Sequence, residues 1–258
     1  MSDPIRFVHR YSTRADREIV AFLASALAYG RIPQIEKDLN ELFARMGESP
    51  YSFVKNFSKP DRQRLKSFKH RFNTGDDISD LLELLKTVLG RYSSIENFFV
   101  KGYNPYDKNI IPALSGFCDS LLDIYIKTHD GCPSKGLGYL LPSPSAGSAC
   151  KRLNLFLRWM VRGDNVDLGL WKTIDKSKLI VPVDVHLARI SGLLGFCRRK
   201  TVSLASAIEI TAGFTEIEPA DPVKYDFALN RLATLRKCTG RHQSGCQFCE
   251  LFGFCFRN

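Results

Sequence analysis

No stretch of this chain approaches the roughly 18 consecutive apolar residues of a membrane-crossing helix, so no transmembrane segment is expected. The first residues, Met1-Ser2-Asp3-Pro4, lack the basic-then-apolar order of a secretory signal. A cytosolic protein with reduced thiols is therefore expected, and its eight cysteines are not read as four disulfides. Strand patterning is almost missing: the only strand-like run, Leu179 to Val183, is short and contains Pro182. There is no internal repeat and no low-complexity tract. Acidic residues are in deficit, 27 against 37 Lys and Arg, which gives a net charge of +10. Such a surplus points to a polyanionic partner, most often nucleic acid, against the plainer reading of a merely basic soluble protein.

What is present is helical periodicity. With 258 residues, 44% of them hydrophobic, the chain is long enough for one large domain or two small lobes. Apolar stripes at i, i+3, i+4 and i+7 spacing run through Ile19–Leu27, Ile32–Met46, Ile78–Leu89 and Ile111–Tyr125. Others follow at Leu153–Met160, Leu187–Cys197 and Tyr225–Leu235. The expected class is all-α, joined by turns such as Asn73-Thr74-Gly75-Asp76. Gly131 to Gly147, with three prolines, reads as a long loop.

Chemistry concentrates in three places. Cys238, Cys246, Cys249 and Cys255 form a C-x7-C-x2-C-x5-C set within the last 21 residues. Four thiolates so close in sequence can converge on one zinc ion or one iron–sulfur cluster, and would cross-link a tail too short to build a core. Four unrelated thiols would be an unusual coincidence. The other cysteines, Cys118, Cys132, Cys150 and Cys197, are scattered and read as small apolar residues.

The second place is the small-residue turn Pro144 to Cys150 feeding a helix, with Ser148 as the expected N-cap and Lys151 in the first turn. Free amides near Gly147 and Ser148 suit a phosphate. Lys151, Arg158 and Arg162 fall within about 20° of one line along that helix. The positive helix end and these neighbouring cations would leave the Lys151 amine more available as a nucleophile. A solvated basic face explains the same stripe. The third place is Asp184, which ends the apolar run Leu179 to Val183 and precedes a helix. It is an N-cap on that ground alone, and a carboxylate delivered there could also stabilise a developing cation. His186 reads as a packing residue.

Val183-Asp184-Val185-His186, a following helix and a closing four-cysteine loop together resemble the helix-hairpin-helix DNA glycosylase superfamily. There the motif reads V-D-T-H with a catalytic aspartate, and a C-x6-C-x2-C-x5-C loop holds a [4Fe–4S] cluster. This chain has seven residues in the first gap. Pro144 to Lys151 is similar to a degenerate version of that superfamily's L-P-G-V-G-x-K hairpin, whose lysine is the nucleophile: Gly147 stands at the first glycine and Ala149 replaces the second. The 33-position separation of Lys151 and Asp184 is similar to that of archaeal 8-oxoguanine glycosylases. Ala28-Tyr29-Gly30-Arg31 and Lys151 to Arg162 also resemble a bacterial family to which no activity is assigned.

The superfamily resemblance implies two helical lobes flanking a cleft. A barrel-like lobe would span residues 30–160, and a second lobe would join 1–29 to 180–258 and end in the cysteine loop. It implies a monomeric DNA glycosylase with abasic-site lyase activity, acting on double-stranded DNA that carries a damaged base, with an oxidised purine favoured. Lys151 would be the nucleophile and Asp184 the carboxylate partner, with a [4Fe–4S] cluster, or zinc, on the four cysteines. Gly147, Ser148, Arg152, Arg158 and Arg162 would hold phosphates, and Tyr29, Arg31 or Trp159 would meet the base. Arg236, Lys237 and Arg241 would make the cysteine loop a DNA contact. The alternatives are a non-catalytic nucleic-acid-binding protein with a metal staple, and a related enzyme acting on RNA or a nucleoside.

Overall fold

A computed structural model describes residues 3–129 and 131–255. Among them the chain is mostly helical: α1 Ile5–Val8, α2 Arg14–Ala26, α3 Ile32–Met46, α4 Pro50–Lys55, α5 Lys59–Leu65, α6 Gly75–Tyr92 and α7 Ile95–Phe99 come first. After them come α8 Ile111–His129, α9 Lys135–Leu140, α10 Lys151–Val161, α11 Val185–Leu193, α12 Leu204–Ile217 and α13 Asp226–Leu235. The one sheet among the described residues is an antiparallel pair, β1 Lys69–His70 and β2 Asn73–Thr74. No described helix is long and apolar enough to cross a membrane.

The helices start where short polar side chains can take their free amides. Thr13 accepts the Asp16 amide at the head of α2, and Ser134 and Ser203 cap α9 and α12. Thr74 and Asp77 exchange bonds in a capping box that opens α6, so the turn-like Asn73-Thr74-Gly75-Asp76 is a helix start. Two other sequence expectations are corrected in the same way. The loop from Gly131 to Gly147 contains α9 and a single 3-10 turn at Pro144–Ala146. The helix expected to begin at Ser148 begins at Lys151, because Cys150 takes a left-handed conformation (φ 46°) that breaks the helical path before it.

The core is a continuous apolar cluster reaching from Ile5 to Val223. α2 is buried on nearly every face and packs against α1, α4 and α10. The buried Glu18 carboxylate on α2 accepts the Ile95 and Glu96 amides and the Trp171 indole N–H, at 2.9, 3.0 and 2.9 Å. The N-terminal helices thus share a core with the middle of the chain, not only with the region after 180. The run Leu179 to Val183 is extended but pairs with no strand; the Val181 amide donates instead to Thr211 Oγ1 of α12 at 3.1 Å. α11 packs against both α12 and α13.

α10 overturns the idea of a solvated basic stripe. Every residue from Arg152 to Val161 is buried. Arg158 is 2% exposed, and its Nη1 donates to both carboxylate oxygens of Asp226 on α13, at 2.8 and 2.7 Å. Its Nη2 lies 3.3 Å from Asp167. Arg162 is held by Asp167 and Asp221 at 2.9 Å each and by Asp164 at 2.5 Å. A guanidinium buried this deeply must be matched by carboxylates, and the matching fixes α13 against α10. Removing one partner strands the charge: Asp226→Ala should lower unfolding free energy by about 3–5 kcal/mol, read by denaturant titration, while Arg158→Met with Asp226→Leu should recover most of that loss.

Candidate active site

Lys151 is the first residue of α10, and Asp184 is the residue before α11. Asp184 Oδ1 accepts the His186 and Leu187 amides at 2.9 Å each, which makes it the N-cap of that helix. Its Oδ2 accepts the Asn230 side-chain amide at 2.9 Å and lies 3.2 Å from Lys151 Nζ. Both groups line one cleft of about 1010 Å3, and Lys151 keeps 34% of its side-chain exposure, so the amine is reachable from it. Burial alone would push the Asp184 carboxyl up. Lys151, the Leu187 amide and Asn230 outweigh burial and hold it below the usual carboxylate range.

Asn230 is the residue that sequence reasoning missed. It stands four positions after Asp226, one turn along the same face of α13. The buried Arg158–Asp226 pair therefore also sets the position from which Asn230 reaches Asp184. An asparagine one turn beyond a buried aspartate gives no sequence signal until that aspartate is known to face inward.

The other expected site residues separate into those at the cleft and those away from it. Ser148 lines the cleft, and its hydroxyl accepts the Cys150 amide at 3.2 Å. The Gly147 amide is not free for a phosphate, because it donates to the Pro144 carbonyl at 2.8 Å. Arg152 borders the cleft but is buried, donating to the Ala26 carbonyl at 2.7 Å and to the Tyr139 carbonyl. It braces the wall. Arg158 borders the cleft but is 2% exposed, Arg162 lies outside the lining, and both guanidinium groups are already paired with carboxylates. The cations invoked to activate Lys151 are accordingly neutralised inside the protein, and the charge that Lys151 meets is the Asp184 carboxylate.

Of the expected base contacts, Tyr29 lines the cleft. Arg31 is exposed and lies outside the lining, and Trp159 is 0% exposed, a core residue. His186 does line the cleft, and its Nδ1 is buried with no hydrogen-bond partner among the described residues.

Cys238, Cys246, Cys249 and Cys255 border one pocket walled by Ile190, Leu193, Leu194 and Phe252. The loop is shaped by left-handed turns at Lys237 and Gly240, and Arg189 Nη1 donates to the Cys238 carbonyl at 2.6 Å. The Gln243 amide points at Cys246 Sγ, 3.4 Å away. No three of the four sulfurs lie within 4.8 Å of one another. A tetrahedral zinc site with 2.3 Å bonds needs sulfurs about 3.8 Å apart. The four thiols border one pocket without being drawn together into a zinc-sized set. Of the three expected loop cations, Arg236 and Arg241 border this pocket, Arg236 pairing with Glu250 at 2.8 Å, and Lys237 is exposed.

A family model described as "Protein of unknown function (DUF2400)" matches residues 3–235, and the chain belongs to that family. The match covers Lys151, Asp184 and Asn230 and stops before Cys238. No curated protein and no solved structure matches the chain.

The depressed Asp184 carboxyl has a stability signature. A carboxyl whose folded pKa lies below its unfolded value near 3.9 stabilises the fold above that pH and loses the contribution as pH falls through the folded value. The parent should therefore be more stable than Asp184→Asn at neutral pH, with the gap closing below about pH 4; equal unfolding midpoints across the range would contradict the pairing.

Proposed function

We propose that the chain is a DNA glycosylase with abasic-site lyase activity, in which Lys151 attacks the sugar and Asp184 serves it. The observation that carries this reading is the 3.2 Å approach of Lys151 Nζ to Asp184 Oδ2 in an open cleft, from residues 33 positions apart on the heads of two helices. An amine and a carboxylate in contact, reachable from solvent on a chain of net charge +10, suit chemistry on a polyanion better than a sealed structural pair does.

The target nucleotide leaves the stack, since its C1′ atom is shielded within a duplex. Asp184 Oδ2 takes a proton from the Lys151 ammonium, freeing the amine's electron pair. Nζ bonds to C1′ as the C1′–N bond to the base breaks, and the base leaves with the bonding electrons and takes the proton that Asp184 had accepted. Ionised again by that transfer, the Asp184 carboxylate stabilises the positive charge left on the sugar and its amine adduct. Ring opening leaves a protonated Schiff base on Lys151, and loss of a C2′ proton then expels the 3′-phosphate. Asn230 holds Oδ2, and the two α11 amides hold Oδ1, so the carboxylate stays aimed at the amine.

On the resemblance to the glycosylase superfamily, the four cysteines would hold a [4Fe–4S] cluster, with zinc as the alternative, against the apolar wall of Ile190, Leu193 and Leu194. Such a centre would supply a cross-link to the tail and no step of the reaction.

Borohydride reduction tests the amine. The parent should be trapped covalently on a duplex carrying an abasic site, and Lys151→Gln should reduce trapping at least 100-fold, the scale of losing an essential nucleophile. Trapping that persists in the variant would move the nucleophile elsewhere. Lys172, the next lysine along, is exposed and outside the cleft lining. Absence of trapping in the parent would favour the non-catalytic binding protein. For the tail, the purified protein should absorb broadly near about 400 nm, and Cys249→Ser should bleach that band; a colourless parent would contradict the cluster.

A further inference from the structure

The two-residue turn between β1 and β2 carries a half-exposed aromatic on a fully buried base. Its ends are His70 and Asn73, both 0% exposed. His70 Nδ1 meets Asp38 at 2.7 Å and its Nε2 meets the Tyr29 carbonyl at 3.1 Å. Asn73 donates to the Gly136 carbonyl at 2.9 Å and receives the Tyr29 hydroxyl. Between them Arg71 takes a left-handed conformation (φ 55°) and lies over Gly30, where a Cβ would fall 2.8 Å from its Cδ. Gly30 is itself left-handed (φ 101°), so no other residue fits beneath Arg71 without strain.

This rigid support presents Phe72 with 51% of its surface in solvent. Its ring centroid is 4.5 Å from that of Tyr139 and 5.4 Å from that of Tyr29. Arg152 lies over Tyr139 at 4.2 Å and Arg71 over Tyr29 at 5.9 Å. Tyr29 and Tyr139 line the same cleft as Lys151. An aromatic held in water by a left-handed turn with buried ends gains nothing for the core, since burying it would be worth more. An exposed phenyl face set edge-on to Tyr139, at 79°, with guanidinium groups on the neighbouring rings, fits a planar, π-rich ligand on an anionic backbone.

We infer that Phe72, supported edge-on by Tyr139 and flanked by Arg71 and Arg152, is a stacking platform for an unpaired nucleobase beside the Lys151–Asp184 cleft. This rests on the nucleic-acid reading above and adds to it a base-contacting surface separate from the reacting pair.

Fluorescence anisotropy with two labelled single strands separates the two ideas. One strand is of mixed sequence, and the other has the same length with stable abasic analogues at its central positions. The parent should bind the first more tightly. Phe72→Ala should weaken binding to that strand about tenfold, leave the abasic strand unchanged and leave the salt dependence unchanged. Phe72→Trp should restore the preference. Equal binding of the base-bearing strand by parent and Phe72→Ala overturns the platform alone. A parent that binds neither strand overturns the platform, and one that also fails to bind a duplex carrying an abasic site overturns the nucleic-acid reading with it.

Discussion

The charge of Arg158, withdrawn from water in the middle of α10, is the constraint around which the cleft is built. An ion in that position costs several kcal/mol unless it is paired in good geometry. Asp226 and Asp167 supply the pairing, with Asp226 meeting the guanidinium through both oxygens. α13 is thereby held against α10. One turn beyond Asp226, Asn230 reaches Asp184, and seven residues before Arg158, Lys151 reaches the same carboxylate from the other side. The same helix carries the buried anchor and the cleft amine, so the distance between Lys151 and Asp184 is set by the Arg158–Asp226 pair at the base of the cleft.

The helices were legible because their apolar stripes have one dominant side. α2, α3, α6, α8 and α10 all fall where periodicity places them, and Asp184 caps α11 as its place after an apolar run requires. The role of Arg158 and Arg162 was not legible from spacing. A 100° projection shows which residues share a face, but not whether the face meets water. The signal that could have decided it is the width of the apolar face: Leu153, Leu155, Phe156, Leu157, Trp159, Met160 and Val161 cover most of the circumference of α10 and leave only a narrow polar stripe, so little of the helix can meet water. Its arginines then demand acids, and Asp164, Asp167, Asp221 and Asp226 follow downstream. The β1–β2 turn was invisible for another reason. Two-residue strands are too short to show alternation, and what defines the turn is the distant support of Asp38, Tyr29 and Gly136.

Two kinds of surface converge on the cleft. One is ionic and close to stoichiometric, with Lys151 against Asp184. The other is aromatic and guanidinium-bearing, with Tyr29, Tyr139 and the arginines that lie on them. In the proposed function a nucleotide would be held between the two. The cysteine tail stands apart: it packs on α11 and α13 through Ile190 and Leu232 and lies outside the span that the family shares. Its contribution in this account is to the support of those helices, not to the chemistry at their heads.

The most direct measurement is peptide mapping of the protein after borohydride reduction on a duplex with one abasic site. A sugar–phosphate adduct confined to the peptide containing Lys151 is the predicted result. An adduct on any other lysine, or unmodified protein after complete reduction, would contradict the account.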